Sequence, residues 1–285
     1  MAYKADSYNT LVRPVLCPGC GGWTIWGALK QALAESHINT KDLALVYGIG
    51  CFGNMANSLK GYVFHSLHGR SLPVATGIKL TNPKLKVIAI AGDGDVYGEG
   101  LNHLLNACRA NVDVIQIVSN NHSYSLTTGQ ASPTSSLGYK SKTTPEGEVK
   151  EPLNPLALSL DSGATFIAQG YSGNLPELTN IFREALKHKG FSLIDIQQVC
   201  ITFNHTENAA YYGEKIKTIT KGNHELETAL KYVHDAEHIN TGILYETKRP
   251  TYDLNFSYLA PKTLINQPTL PAARLTRSFI KELSL

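Results

Sequence analysis

Short apolar segments alternate with amphipathic ones over roughly the first 200 residues, and this alternation constrains the fold most strongly. The segments LALVYGIG (43–50), KVIAIAG (86–92) and DVIQIVSNN (113–121) have the length and composition of buried strands. Residues 22–36 and 98–110 place apolar side chains at helical spacing. Continuously apolar strands that alternate with helices indicate an α/β fold with a doubly wound, mainly parallel sheet. Such sheets bind ligands at the carboxyl ends of their strands.

The alternation resumes after a long polar segment. Residues Thr127 to Pro155 are rich in Thr, Ser, Gly and Pro, and the segment is too long for a simple connection, which indicates a functional loop. Further predicted elements are a helix near 155–162, a strand at 165–170, a helix at 175–188 and a strand at 191–199. From about residue 205 the pattern weakens. We therefore expect a domain at 1–205 and a C-terminal extension at 206–285 that packs on a partner subunit.

Composition and charge exclude several classes of protein. The chain has 285 residues, 42% hydrophobic and 17% charged, which is typical of a globular protein. The formal net charge is only +3 and no long basic run is present, so we expect no nucleic-acid partner. The N-terminal MAYKADSYNT lacks the apolar core of a signal peptide, and the apolar stretches are far shorter than a membrane span. We expect a cytoplasmic protein without a membrane partner.

Cysteine spacing offers the first sign of chemistry. Cys17 and Cys20 flank a Pro-Gly pair, and such a knuckle can bind zinc, hold one edge of an iron–sulfur cluster or form a redox disulfide. An odd total of five cysteines, without a secretory signal, favours metal binding or catalysis over a disulfide framework. Cys51 and Cys200 each follow a predicted strand, so both can meet the knuckle at one sheet edge. Cys108 lies within a predicted helix and is expected to be an inert core thiol.

Polar residues follow two neighbouring predicted strands. Gly92, Asp93, Gly94 and Asp95 stand where the strand at 86–92 ends and a helix follows. An acidic residue there can bind a divalent cation, while glycines and a helix N-terminus admit a phosphate. Asn121 comes 28 residues after Asp93, at the end of the next strand. Each feature alone is typical of a polar turn, but together they favour a magnesium–diphosphate site.

These motifs resemble a known family. GDGD followed by NN is similar to the diphosphate-binding signature of thiamine diphosphate enzymes. With CPGCG, GIGC, HSLHGRSLPVATG, GQASPTS and CITFN, the chain resembles the beta subunit of the 2-oxoacid:ferredoxin oxidoreductases over about residues 13–205, and GILYETKRPTY at 242–252 extends the resemblance. It implies a sheet of the thiamine diphosphate-binding (diphosphate-domain) type, in an oxidoreductase that acts as a heteromer.

The resemblance implies three cofactors, namely thiamine diphosphate, Mg²⁺ and a 4Fe-4S cluster. The implied cluster ligands are the cysteines of CPGC, GIGC and CITFN, which are Cys17, Cys20, Cys51 and Cys200. The implied magnesium ligands are Asp93, Asn121 and the backbone carbonyl of Ser123. Zinc in a four-cysteine site is the alternative that spacing alone leaves open.

The family pattern also extends to the surroundings of the cofactor. Gly92, Gly94 and Asp95 complete the diphosphate loop, and Asp95 is expected to hold its shape. Leu126 and Thr127 are expected to touch the cofactor.

Two histidines, and one position at which this sequence differs from the family pattern, concern the substrate. His65 and His68 fall at the entrance of the active site, and the resemblance implies that His68 contacts the substrate or the thiazolium region. A hydrogen-bonded loop histidine is the alternative reading for His68. Many relatives carry a basic residue three positions after the cysteine of GIGC, where this sequence has Asn54.

The implied reaction is the oxidative decarboxylation of a 2-oxoacid with coenzyme A, which gives an acyl-CoA, carbon dioxide and reduced ferredoxin. The chain resembles only the diphosphate-binding domain, so an alpha subunit, or alpha plus gamma, is expected to complete the site. One alternative is a thiamine-dependent decarboxylase or synthase without electron transfer, which has no use for four cysteines. The other is a zinc-stabilised binding module, which does not explain the phosphate-site pattern.

Overall fold

The computed structural model describes residues 3–255, 266 and 280–281 of the 285-residue chain. The strands are β1 (Leu43–Tyr47), β2 (Tyr62–His65), β3 (Lys86–Gly92), β4 (Ile115–Asn120), β5 (Ser123–Tyr124), β6 (Gln130–Ala131), β7 (Phe166–Tyr171), β8 (Ser192–Gln197), β9 (Ile216–Thr218) and β10 (Ile239–Glu246). The helices are α1 (Gly22–Glu35), α2 (Ser71–Thr81), α3 (Leu101–Ala110), α4 (Pro155–Asp161), α5 (Leu175–Lys187), α6 (Ala209–Lys215) and α7 (Leu226–Val233). Among these residues, no helix is both long and apolar enough to cross a membrane.

Eight of the described strands form one sheet in the order β2-β1-β3-β4-β8-β7-β10-β9. In this sheet, the neighbouring strands β2, β1, β3, β4, β8 and β7 all pair in parallel. Strand β10 pairs antiparallel to β7. The chain leaves β1 towards one edge and β3 towards the other, so the order reverses between these two strands. The predicted doubly wound, mainly parallel sheet is therefore confirmed. A crevice at such a reversal is the usual ligand site of this architecture.

Alternate residues of the central strands pack into two hydrophobic cores, one on each face of the sheet. Leu45 and Ile90 belong to the core that α1 and α5 cover. Val46 and Ala89 belong to the core that α2, α3, α4 and α7 cover. Because both faces are buried, most positions of the central strands are apolar, and this explains why their sequences are recognisable.

The chain beyond residue 205 contributes to the same sheet up to β10. Gly242 and Ile243 of β10 pair with Gln169 and Ala168 of β7, and β9 extends the edge beyond β10. This part of the predicted extension therefore packs on its own sheet, and the division at 205 stays a prediction. The rest of the predicted extension, after residue 255, lies outside the described residues except at 266 and 280–281.

A helical turn at the end of β3 positions the glycine-aspartate motif. A π-helical segment, Gly94–Glu99, begins directly after Asp93, and α3 follows it. The β3–β4 register pairs Gly92 with Ser119, so Asp93 and Asn121 follow the ends of adjacent parallel strands. Single π-helical turns are frequently found at functional sites.

Candidate active site

A cavity of about 90 Å³ lies at the carboxyl ends of β1, β3 and β4. It is lined by all the residues that were expected at the diphosphate and the magnesium ion and by one of the two entrance histidines, namely His68, Gly92, Asp93, Gly94, Asp95, Asn121, Ser123, Leu126 and Thr127. His65, the other expected entrance histidine, does not line it. We call this space the diphosphate cavity. Its position at the reversal of strand order is the one expected for a doubly wound sheet.

Asp93 is a deeply buried carboxylate, with 1% of its surface exposed. Its Oδ2 accepts a hydrogen bond of 2.9 Å from Thr134 Oγ1, and the same hydroxyl lies 2.9 Å from Asn120 Oδ1. A hydroxyl has one proton, so it serves only one of these acceptors at a time. Burial raises the pKa of Asp93, while hydrogen bonds and the nearby His122 ring oppose the rise. A bound cation would relieve the free-energy cost of burying this charge.

Two glycines of the motif shape the cavity in opposite ways. A Cβ added to Gly92 would have only Ser119 O within 4 Å, at 3.9 Å, so this glycine leaves open space. A Cβ on Gly94 would lie 2.2 Å from the Tyr124 ring, whose hydroxyl donates to Gly94 O at 3.3 Å. Gly92 therefore leaves room for a ligand, whereas Gly94 makes room for a tyrosine of the protein itself.

Asp95 ties three loops together at the cavity. Its Oδ1 accepts hydrogen bonds from the backbone nitrogens of Ile49 (3.2 Å) and Gly69 (2.8 Å), and it lies 3.1 Å from His68 Nδ1. Burial raises the pKa of Asp95, and these two backbone donors and His68 oppose the rise. The side chain of His68 remains 40% exposed. Asp95 thus fixes the loop and orients the histidine that lines it.

His122 is a partly buried residue that no sequence pattern marked out. It lies between two of the predicted magnesium ligands, with φ of 60°, in the left-handed region. Its Nδ1 is 2.7 Å from Thr134 O, and its Nε2 is 2.8 Å from Gln197 Oε1. Burial lowers the pKa of His122, but Glu207 and Asp93 outweigh this effect and the net shift is upward. A protonated ring donates from both nitrogens, as these two oxygens require.

A second cavity, of about 360 Å³, lies beside the first. It is lined by the four cysteines that the sequence grouped together, namely Cys17, Cys20, Cys51 and Cys200. We call it the cysteine cavity. Burial and the three neighbouring thiols raise the pKa of Cys51 to about 11. Cys108 lines neither cavity and is fully buried in the core, as predicted.

Backbone hydrogen bonds fix the CPGC knuckle against the sheet. Cys20 N donates to Cys17 O at 3.1 Å and closes the turn. Gly21 N donates to Val199 O at 3.2 Å, which attaches the start of α1 to the chain just after β8. Cys17 is exposed, whereas Cys200 is buried. The knuckle therefore closes the cysteine cavity on the side that faces solvent.

The two cavities share a wall. Cys51, Asn121, Ser125 and Leu126 line both of them. Ser125 lies in the turn between β5 and β6, and its Oγ is 2.6 Å from Ser123 Oγ and 3.4 Å from Cys200 Sγ. Groups bound in the two cavities would thus be separated by single side chains.

The thiols surround a space and do not converge on one point. Among the described residues, no group of three or more His, Cys, Asp or Glu side chains is arranged to hold a metal ion. A single zinc ion requires four ligands at about 2.0–2.3 Å around one centre.

Comparisons with known proteins identify the domains that the chain contains. Residues 48–196 match the family model of the thiamine pyrophosphate enzyme C-terminal TPP-binding domain. Residues 200–260 match the C-terminal model of the pyruvate ferredoxin oxidoreductase beta subunit.

Individual relatives extend over most of the chain. The 2-oxoacid:ferredoxin oxidoreductase subunit beta of Saccharolobus solfataricus is 39% identical over 269 residues, which cover 88% of each chain. The 2-oxoglutarate oxidoreductase subunit KorB of Mycobacterium tuberculosis is 39% identical over 66% of this chain and 50% of its own length. The structure of a 2-oxoglutarate:ferredoxin oxidoreductase from Magnetococcus marinus, with 2-oxoglutarate, coenzyme A and succinyl-CoA bound, matches with a TM-score of 0.90. It is 32% identical and covers 97% of this chain and 95% of that one.

The fold and the matched domain define a subunit of a thiamine diphosphate-dependent enzyme. The chain belongs to the family of 2-oxoacid:ferredoxin oxidoreductase beta subunits, and the resemblance seen in its motifs is confirmed. It is therefore part of a multi-subunit oxidoreductase.

Proposed function

We propose that this subunit takes part in the coenzyme A-dependent oxidative decarboxylation of a 2-oxoacid. The bond between the carboxylate and the keto carbon breaks and releases carbon dioxide. A thioester bond forms between the remaining acyl group and coenzyme A, whose thiol proton is released. The two electrons of the oxidation leave singly and reduce two molecules of ferredoxin.

The shared wall between the two cavities is the observation that carries this proposal. Oxidative decarboxylation needs a carbon site and an electron acceptor close together. The diphosphate cavity and the cysteine cavity are separated by residues such as Ser125 and Leu126, which line both. A thiamine-dependent decarboxylase without electron transfer would have no need for four thiols at this place.

The residues of the diphosphate cavity fit thiamine diphosphate and magnesium. Asp93, the Asn121 amide oxygen and the Ser123 carbonyl are hard oxygen ligands of the kind that Mg²⁺ binds. The open space beside Gly92 admits a phosphate near the backbone. Bound thiamine diphosphate supplies an electron sink for decarboxylation.

His68 is placed to meet the substrate. His68 Nδ1 lies 3.1 Å from Asp95 Oδ1, so this ring nitrogen faces the Asp95 carboxylate. Nε2 is then the ring nitrogen available to a substrate oxygen in the cavity. Leu126, which is 48% exposed, and Thr127 line the same cavity. These residues orient the 2-oxoacid, while the buried carboxylates behind them hold the cofactor.

The residues of the cysteine cavity fit a 4Fe-4S cluster better than zinc. Four thiolates around a cavity match a cluster, which takes one cysteine at each of its four irons. Hydroxyl and amide groups near Cys17, Cys20 and Cys200 sulfurs provide the hydrogen bonds that thiolates accept. A bound cluster supplies one-electron transfer, which couples a two-electron oxidation to a one-electron carrier.

An alpha subunit, or alpha plus gamma, completes the active site. The described residues form one eight-stranded sheet, with the diphosphate cavity at its switch point, and a separate two-stranded sheet of β5 and β6. Thiamine enzymes use a second domain for the pyrimidine ring. Ferredoxin takes the electrons near the exposed Cys17.

Two measurements test the proposal. Anaerobically purified protein is expected to be brown and to contain iron and acid-labile sulfide, whereas stoichiometric zinc without sulfide would contradict the cluster. The αβ complex is then assayed with a panel of 2-oxoacids that includes 2-oxoglutarate and pyruvate, with coenzyme A and a viologen acceptor. Turnover is expected only with the alpha subunit present; substantial turnover by the isolated chain would contradict the shared active site.

A further inference from the structure

A buried glutamine, Gln198, connects the two cavities through its side-chain amide. Only 2% of its surface is exposed, and it lines the cysteine cavity. Its Nε2 donates a hydrogen bond of 3.0 Å to Cys20 Sγ, and its Oε1 accepts a hydrogen bond from Ser119 Oγ. Ser119 lines the diphosphate cavity. One amide therefore bridges a residue of each site.

The surroundings fix the orientation of this amide. A cysteine thiolate only accepts hydrogen bonds, so the NH₂ group must face Cys20 and the oxygen must face the Ser119 hydroxyl. The backbone of Gln198 is also held, because its nitrogen donates to Asn120 O at 2.8 Å. The donor is thus presented to the sulfur by a residue with little freedom to move.

Among the described residues, hydrogen bonds to the sulfurs of the four cavity cysteines also come from two side-chain hydroxyls, at longer range. Ser125 Oγ lies 3.4 Å from Cys200 Sγ, and Thr202 Oγ1 donates to Cys17 Sγ at 3.4 Å. The Thr202 contact lies at the exposed side of the cavity, where water competes for the sulfur. Among the described residues, Gln198 therefore makes the shortest side-chain hydrogen bond to this group of thiols.

We infer that Gln198 is a positioning residue that raises the reduction potential of the cluster held by the four cysteines. This inference rests on the cluster in the proposed function. Reduction adds negative charge, part of which falls on the ligand sulfurs, so a fixed N–H donor stabilises the reduced form more than the oxidised form. The same bond keeps Cys20 in place beside Ser119, at the boundary of the diphosphate cavity.

The test is a redox titration of the αβ complex, followed by the electron paramagnetic resonance signal of the reduced cluster. Gln198→Met keeps the length of the side chain but removes the donor, so the midpoint potential is expected to fall while iron and sulfide contents stay constant. Ser125→Ala is expected to lower the potential less, and Thr202→Val least. Gln116→Met makes the same chemical change at a buried glutamine that lines neither cavity, and its potential is expected to be unchanged.

An unchanged or higher potential in fully loaded Gln198→Met overturns the inference. If that variant does not assemble the cluster, Gln198→Asn tests the same bond, because the shorter amide cannot reach Cys20; a potential equal to that of the wild type then overturns it. Wild-type protein without iron and sulfide contradicts both the proposed function and this inference. A loaded protein whose potential does not depend on Gln198 contradicts this inference alone.

Discussion

The diphosphate cavity and the cysteine cavity lie side by side, but the chain builds them in different ways. The first takes its central residues from two short stretches, 92–95 and 121–127, at the ends of adjacent strands. The second takes one or two cysteines from each of three segments that are far apart, from Cys17 to Cys200. The first is thus a local product of strand order, whereas the second depends on the whole domain.

The two sites also differ in how they treat charge. Asp93 is buried and its pKa is raised, so the free protein holds a carboxylate at a free-energy cost that a cation would relieve. In the cysteine cavity, burial and the neighbouring thiols raise the pKa of Cys51 to about 11, so this thiol is neutral until a metal binds. Damage to one site is therefore expected to leave the other largely intact, and the following variants test that independence.

Asp93→Ala is expected to have the largest effect on cofactor binding. It removes the anionic ligand assigned to magnesium, so thiamine diphosphate affinity of the αβ complex should fall by more than about 100-fold, since second-shell partners alone contribute about 10- to 100-fold. Isothermal titration calorimetry measures this, and the visible spectrum of the cluster should not change. Asp113→Ala is the control, because Asp113 pairs with Lys79 at 2.7 Å near the start of β4 and not at the cavity. Equal thiamine diphosphate affinity in the two variants would show that Asp93 does not bind the magnesium ion.

Cys200→Ser is expected to remove most of the iron and the visible absorbance while thiamine diphosphate still binds. Serine replaces one of four thiolate ligands with a harder and less acidic group. Cys108→Ser is the matched control, because Cys108 is buried in the core and lines neither cavity. Iron analysis and absorption spectra decide between them. The same loss of iron in both variants would refute the division of the five thiols.

Thr134→Val tests the support of Asp93. The hydroxyl that donates to Asp93 Oδ2 at 2.9 Å is lost, and cofactor affinity should fall by roughly 10- to 100-fold. Thr134→Ser keeps the hydroxyl and should restore most of the affinity. A serine variant as weak as the valine variant would show that the methyl group matters and the hydrogen bond does not.

Gly92→Ala is expected to have the smallest effect. The added methyl group has open space in the free protein, so thermal unfolding without cofactor should hardly change. It then occupies space that the ligand needs, and an overpacking cost of about 1 kcal/mol corresponds to about fivefold weaker binding. Gly94→Ala should instead lower the thermal stability itself, because its methyl group meets the Tyr124 ring. Cofactor affinity equal to that of the wild type in Gly92→Ala would exclude a ligand at this glycine.

The buried parts of the fold could be predicted from the sequence because burial on both faces leaves a continuous apolar run. The predicted strands and helices up to residue 199 correspond to β1, β3, β4, β7 and β8 and to α1, α3, α4 and α5. Strand β2 was missed because all four of its residues are exposed at the sheet edge. Strand β10 was missed because it lies where the pattern weakens and its burial is irregular. Helix α2 was missed because Pro73 and Gly77 obscure its pattern.

The same distinction holds within the site. Asp93 and Asn121 follow recognisable strands, so their proximity could be predicted from parallel pairing. Thr134 stands in a polar loop with many other serines and threonines, and nothing local marks it out. His122 and Gln198 gain their contacts only when β4 and β8 are adjacent. Residues that act through tertiary hydrogen bonds carry no local sequence pattern.

The long stretch of chain between the first and the last cysteine of the cysteine cavity has a consequence for biosynthesis. The ribosome makes Cys17 early, and Cys200 follows 183 positions later. At about 5–20 residues per second, this interval lasts roughly 10–40 s. Strands β3 and β4, with the loop that carries Asn121, are complete well before that time. A cluster held by all four cysteines, as proposed above, can therefore be completed only on a chain already synthesised through β8, after the neighbouring diphosphate cavity has had time to form.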